Sequence, residues 1–169
     1  MAVLAALPLH AQDSSALLDE GKQLYMSVAG NLLKSADEMP AQDYHFRATP
    51  TSLTFADLIR KVSAYQEDAC SAVTGTRDQA DHVYPGDKTE LTTMLRNSVH
   101  QCEAAFSSLN DFTASEQLTF GGTQYSKLGL LLLNVNHCSE VYGSMAIYLR
   151  LKGLVPPSSQ AKLRPILGN

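Results

Sequence analysis

The sequence predicts an all-α fold, a four-helix bundle, and three observations support that prediction. Four segments carry apolar residues at spacings of three and four, which places those residues along one face of an α-helix. No stretch alternates convincingly between apolar and polar residues, as a half-buried strand does. The chain has 169 residues, of which 44% are hydrophobic and 18% are charged, so it can bury the core of one domain. We expect that domain to cover residues 12–159, followed by a C-terminal tail at 160–169.

The first two predicted helices have clear ends. The first helix runs from about Ser14 to Met39, and Pro40 ends it because proline cannot donate the hydrogen bond that a helix interior needs. The second helix begins after Thr54, which forms a capping box with Asp57. It ends at Gly75, a residue type that favours helix C-termini.

The third and fourth predicted helices are delimited in the same way. The third opens at Asp87, where Asp87 and Glu90 offer the same reciprocal cap. The fourth starts near Thr123, after Gly121-Gly122, and runs to Lys152, with Gly153 following its last turn. The connections at 41–53 and 74–88 are longer than minimal helical hairpins need, so either could cover a pocket.

Composition argues against two classes of partner. Seventeen acidic and thirteen basic residues give a formal charge of −4, whereas a nucleic-acid surface needs clustered Lys and Arg, so we expect no nucleic-acid partner. The apolar run from Leu128 to Val135 is too short for a membrane span. No nucleophile elbow, phosphate-binding loop or dinucleotide fingerprint is present in the sequence.

The N-terminal residues 1–11 form an apolar run that ends in Leu9-His10-Ala11. This pattern is typical of the apolar part and the cleavage site of a secretory signal, and residues 1–11 are interpreted as a signal-peptide remnant. The alternative is an apolar first stretch of helix that packs on the domain. Export, for example to a periplasm, follows from the first interpretation, and a cytoplasmic location follows from the second.

The three cysteines Cys70, Cys102 and Cys138 contain no C-x-x-C pair, which argues against a zinc ribbon or a redox dithiol. Each is most simply a small buried apolar residue. In an oxidising compartment one pair could form a disulfide, and the sequence does not choose the pair.

Two stretches of the sequence carry a family resemblance. The first extends from Met39 to Ile59 and contains MPAQDYHFRATP and TFADLI; the second extends from His137 to Ser158 and contains HCSEVYG and YLRLKGLVPPS. Both resemble the DinB/YfiT-like family of four-helix bundles, and the second ending is specific to one branch of that family. The resemblance covers about Asp19 to Ser159. It implies a metal-dependent enzyme family whose members often form homodimers, so a homodimer is one possibility here.

The resemblance also implies one divalent metal bound by three histidines, one on the second helix and two, four residues apart, on the last helix. Those positions are Lys61, His137 and Val141 in this sequence, so only one ligand is retained. Valine has no donor atom, and a lysine ammonium repels a divalent ion. The expectation is therefore a degenerate metal site without a cofactor; if a metal does bind, we expect zinc or nickel.

A second metal hypothesis comes from the residues themselves. His100 and Glu103, like His137 and Glu140, are three residues apart and share a helix face. Carboxylate-bridged two-metal bundles use such pairs from two helices, although in the order Glu-x-x-His. The alternative interpretation is that both pairs lie on solvated helix faces.

Single residues also have more than one interpretation. His137 is interpreted as a retained metal-ligand position, as a general acid or base, or as a histidine bonded to a neighbouring carbonyl. Lys61 is interpreted either as a buried base or Schiff-base former, or as a lysine that extends to solvent. His45, Phe46 and Arg47 line the mouth of the inherited site or anchor the first connection.

Two functions remain open from the sequence. The first is a binding or scaffolding role without metal, in which Lys61, His137 and Val141 surround a retained pocket for a small molecule. The second is a metal-dependent enzyme of thiol-transferase or hydrolase type with a rearranged site, since some relatives are similar to thiol transferases. A full set of three imidazoles would favour the enzyme, and a single imidazole favours binding.

Overall fold

The computed structural model describes residues 14–76 and 86–160. Its elements are α1 (Ser14–Glu38), α2 (Phe55–Thr74), α3 (Lys88–Ser108), β1 (Gln117–Phe120), β2 (Thr123–Ser126) and α4 (Lys127–Leu151). The interpretation of residues 1–11 as a signal remnant concerns residues outside the described ranges, as do residues 161–169 of the expected tail. The prediction of a four-helix, mostly α-helical fold is confirmed.

The predicted caps explain where the helices begin. At the start of α2, the Thr54 hydroxyl accepts a hydrogen bond from Asp57 N at 3.1 Å, and the Asp57 carboxylate accepts one from Thr54 N at 3.0 Å. The hydrogen bond from the Thr54 hydroxyl is the main reason that the Asp57 pKa lies below its usual value. At α3 only half of the predicted box forms: Asp87 accepts from Glu90 N, but the Glu90 carboxylate bonds Gly86 N instead of Asp87 N.

The end of α4 confirms the predicted role of Gly153. This glycine has φ +75°, which is why a glycine suits the position. Gly153 N donates to Arg150 O at 3.0 Å, and Leu154 N donates to Leu149 O at 2.9 Å. These two bonds are the Schellman pattern, which satisfies the last carbonyl groups of the helix.

The helices run up, down, down and up along the chain. Gln66 bonds Ser98 and Cys70 bonds Cys102, so α2 and α3 are parallel. The end of α2 and the start of α3 therefore lie at opposite ends of the bundle, which explains why the connection between Thr74 and Lys88 is long. The antiparallel pairs are shown by Lys61–Glu140 and Tyr65–His137 between α2 and α4, and by Lys22–Ser107 and Asp37–Arg96 between α1 and α3.

A short hairpin corrects two expectations from the sequence, that the chain has no strand and that α4 starts near Thr123. Strands β1 and β2 pair antiparallel around Gly121 and Gly122, whose φ angles are +56° and +80°. Two successive positive φ angles suit a two-residue hairpin turn. Each strand has four residues, too few for alternation to show in the sequence, although a Gly-Gly pair between two short runs is itself a hairpin signal.

The core lies between the four helices and contains several fully buried aromatic residues, including Tyr25, Phe55 and Phe106. Buried polar residues are mixed with them and bond one another; the Tyr25 hydroxyl, for example, donates to Gln66 Oε1 at 2.6 Å. Within the described ranges, each helix is too short or too polar to cross a membrane.

Candidate functional site

The candidate site lies where α2 and α4 face each other, and we call Lys61, Tyr65, His137 and Glu140 the seam. The rings of Tyr65 and His137 are 4.2 Å apart between centroids and are tilted by 32°. Phe120 of the hairpin packs edge-on against Tyr65, with 5.8 Å between centroids. The hairpin therefore covers one end of the seam.

The charged part of the seam is an ion pair between the two helices. Lys61 Nζ lies 3.5 Å from a carboxylate oxygen of Glu140. The side chains are 43% and 65% exposed, so solvent screens the pair and its contribution to stability is small. Lys61 thus extends toward solvent and bonds a carboxylate, in agreement with the second of its two interpretations.

His137 is the seam residue whose ring nitrogen Nε2 lacks a hydrogen-bond partner among the described residues. Its Nε2 is buried, and no hydrogen-bond partner for it lies in residues 14–76 or 86–160. Burial is the main cause that lowers the His137 pKa; the Lys61 ammonium lowers it further, and the Glu140 carboxylate opposes them. The imidazole is therefore neutral near pH 7, with one nitrogen available to accept a hydrogen bond.

At the three positions that the resemblance implies as metal ligands, two side chains do not suit a divalent metal. Val141 lies one turn after His137, is 2% exposed and belongs to the hydrophobic core. Lys61 brings a positive charge, which acts on His137 and is bonded to Glu140. Over the ranges that the structure describes, no three or more His, Cys, Asp or Glu side chains form a group that could hold a metal ion.

The second metal hypothesis finds its first pair on a separate helix. His100 Nδ1 lies 3.2 Å from a Glu103 carboxylate oxygen on α3, and the His100 side chain is 77% exposed. In the other pair, Glu140 bonds Lys61 rather than any residue of α3. The geometry favours a solvated helix face for His100 and Glu103, whereas in the second pair Glu140 is exposed and His137 Nε2 is buried.

The first connection is held at the C-terminal end of α4, about three helical turns from His137. Phe46 packs against Tyr148 with 5.7 Å between centroids, and Lys152 Nζ lies 3.9 Å above the Phe46 ring. Lys152 also pairs with Asp43 at 2.8 Å, and the Tyr148 hydroxyl donates to Leu53 O at 2.6 Å. We call Asp43, Phe46, Tyr148 and Lys152 the loop anchor.

For the first connection, the structure favours the anchor interpretation at Phe46. Phe46 is an anchor, while His45 and Arg47 are exposed. The end of the second motif has a similar role: the Tyr142 hydroxyl donates to Ser158 Oγ at 2.7 Å and accepts from Ser158 N at 2.9 Å. Several residues that carry the family resemblance therefore fasten loops to α4.

The sequence did not point to Tyr65 or Phe120 as parts of the site. Tyr65 follows Lys61 by one helical turn, so the sequence spacing could have placed both residues on one helix face. Phe120 could not be placed, because its contact with Tyr65 depends on the hairpin.

Two of the solved structures that match this fold are DinB-like proteins. A DinB-like protein from Bacillus cereus matches with a TM-score of 0.70 and 17% identity, over 82% of this chain and 95% of that chain. The DinB-like protein YjoA from Bacillus subtilis matches with a TM-score of 0.65 and 13% identity, over 79% of this chain and 92% of that chain. No protein-family model matches the sequence, and no curated protein matches it. The chain has the fold of DinB-like proteins.

Proposed function

We propose that this DinB-like bundle carries a degenerate three-histidine site and acts through a binding or scaffolding role that uses no metal. The observation that carries the proposal is the Lys61–Glu140 ion pair, 3.5 Å long, on the helix face where the fold family would place metal ligands. The Lys61 ammonium places a positive charge on this face. It would also repel a divalent ion by direct Coulomb interaction.

The chemistry of the seam suits a small organic ligand better than a metal. Tyr65 and Phe120 are partly exposed and offer aromatic surface, and Lys61 and Glu140 offer one charge of each sign. The neutral His137 ring offers one hydrogen-bond acceptor or donor, depending on its tautomer. A ligand with a planar group and a polar group would use each of these features.

Elemental analysis of untagged protein after mild dialysis tests the proposal. A tag is omitted because oligohistidine supplies the same ligands that the site lacks. We expect a metal-to-chain ratio near zero. A ratio near one that falls in a His137→Ala variant would overturn the proposal and favour the alternative, a metal-dependent enzyme of thiol-transferase or hydrolase type.

We also propose that the protein is exported. Two features support this: the apolar residues 1–11, and the Cys70–Cys102 disulfide, a bond that persists in oxidising compartments. Fractionation of the native host, followed by the intact mass of the purified protein, tests it. Loss of residues 1–11 from an exported protein is the expected result, and a full-length protein that stays in the cytoplasm contradicts it.

A further inference from the structure

The three cysteines meet in the core around one amide. Cys70 of α2, Cys102 of α3 and Cys138 of α4 are each fully buried, and so is Asn134, one turn before Cys138. Cys70 and Cys102 form the disulfide, and Cys138 is a free thiol. A free thiol close to a disulfide is a potential partner for exchange.

The Asn134 side chain lies between the disulfide and the free thiol. Its Nδ2 is 3.5 Å from Cys102 Sγ and 3.8 Å from Cys70 Sγ, while its Oδ1 is 3.7 Å from Cys138 Sγ. Within residues 14–76 and 86–160, these sulfur atoms are the partners of the amide. A fully buried amide is costly unless it is bonded, and here its weak hydrogen bonds are to cysteine sulfur atoms.

We propose that Asn134 is a positioning residue that holds Cys138 apart from the Cys70–Cys102 disulfide, so that the folded protein keeps one bridge and one free thiol. The amide bonds the sulfur groups on both sides and occupies the space between them. A smaller or apolar residue at this position would remove the bond that orients the Cys138 thiol.

The reaction that Asn134 prevents is a thiol–disulfide exchange. Cys138, as a thiolate, would attack Cys102 Sγ, form a Cys102–Cys138 bond and break the bond to Cys70. The electron pair of the broken bond leaves on Cys70, which takes up the proton that Cys138 lost, so no net oxidation occurs. Burial works in the same direction, because it raises the pKa of the Cys138 thiol to about 12 and keeps it protonated.

Refolding with mapped disulfides tests the proposal. Wild-type protein and the Asn134→Ala and Asn134→Leu variants are reduced in denaturant and then refolded with glutathione and glutathione disulfide. Each new protein bridge oxidises two protein thiols and reduces one glutathione disulfide to two glutathione molecules. Free thiols are blocked with N-ethylmaleimide, and bridges are identified by peptide mass spectrometry.

We expect the wild type to carry the Cys70–Cys102 bridge and an alkylated Cys138. In the Asn134 variants we expect bridges to Cys138 to appear, since the thiol is no longer held apart. A matched Ser98→Ala variant removes a buried hydroxyl that bonds Gln66 Nε2, and its pairing should equal that of the wild type. Wild-type pairing in both folded Asn134 variants would overturn the proposal, as would a Cys138 bridge in the wild type.

A second measurement covers variants that fail to fold. In Asn134→Ala combined with Cys138→Ser only one bridge can form, so its circular dichroism shows whether loss of the amide alone prevents folding. Native wild-type protein is also held at pH 9, where thiolates are more abundant, and mapped again after a day. Retention of the Cys70–Cys102 bridge supports the proposal, and a new Cys138 bridge in this native sample contradicts it.

Discussion

The loop anchor and the seam both include residues at α4, and they differ in how their polar groups are bonded. In the anchor, Lys152 and Asp43 are 2.8 Å apart, and the Tyr148 hydroxyl bonds a carbonyl at 2.6 Å. In the seam, Lys61 and Glu140 are 3.5 Å apart, and no protein atom within the described ranges bonds His137 Nε2. Motif residues at the end of α4 are therefore bonded within the fold, while the seam holds a longer ion pair and a buried nitrogen without a partner among the described residues.

The largest expected effect comes from breaking the anchor at Tyr148. Tyr148→Ala removes a buried ring that packs against Phe46 and Phe55, so we expect the free energy of unfolding to fall by about 3–5 kcal/mol. Tyr148→Phe, which loses only the hydrogen bond to Leu53 O, should cost about 1 kcal/mol. Urea unfolding followed by circular dichroism measures both. A Tyr148→Ala protein as stable as the wild type would show that the anchor does not stabilise the fold.

Double-mutant cycles compare the two ion pairs directly. For Lys152→Met and Asp43→Asn we expect a coupling energy of about 1 kcal/mol, because the pair is short and only partly exposed. For Lys61→Met and Glu140→Gln we expect about 0–0.5 kcal/mol, because that pair is longer and more exposed. Equal coupling energies in the two cycles would remove the distinction between anchor and seam.

The smallest expected effect concerns the pH dependence of stability at the seam. The folded-state pKa of His137 lies below its unfolded value of about 6.5, so the unfolded chain binds more protons just below that pH. Stability from this group is therefore fully present above about pH 6.5 and is lost as the pH falls toward the folded pKa. We expect the free energy of unfolding of His137→Gln, measured by urea unfolding at a series of pH values, to change less between about pH 5 and 7 than that of the wild type.

The pH window separates His137 from Asp57. The Asp57 carboxyl, whose pKa is also lowered, loses its contribution only below about pH 4.5, outside this window. A slope that is the same in wild type and His137→Gln contradicts the predicted role of His137.

Most of the fold was predictable from the sequence because its signals are local. Thr54 with Asp57 and the glycines after α2 and α4 define helix ends within a few residues. The hairpin was missed because four-residue strands contain too few residues to show a period of two. The contact between Phe46 and Tyr148 could not be predicted from the sequence, because it joins positions far apart in the chain.

The site was predictable only in part, because its contacts depend on how helices lie side by side. Lys61, His137 and Val141 were identified from a motif, but Glu140 as the partner of Lys61 requires the register of α2 against α4. The disulfide pairing likewise follows from the parallel arrangement of α2 and α3, which brings Cys70 to Cys102. A sequence alone does not supply helix direction or register.

We propose that Lys61 and Val141 stand at lost metal-ligand positions beside His137. Isothermal titration of zinc and nickel into the Lys61→His/Val141→His double variant and the wild type tests it, with His137→Ala added to the double variant as a control. We predict binding of about one ion per chain to the double variant only, since three neutral imidazoles form a metal site and one does not. A folded double variant that binds neither metal, or a wild type that binds as tightly, would contradict the account.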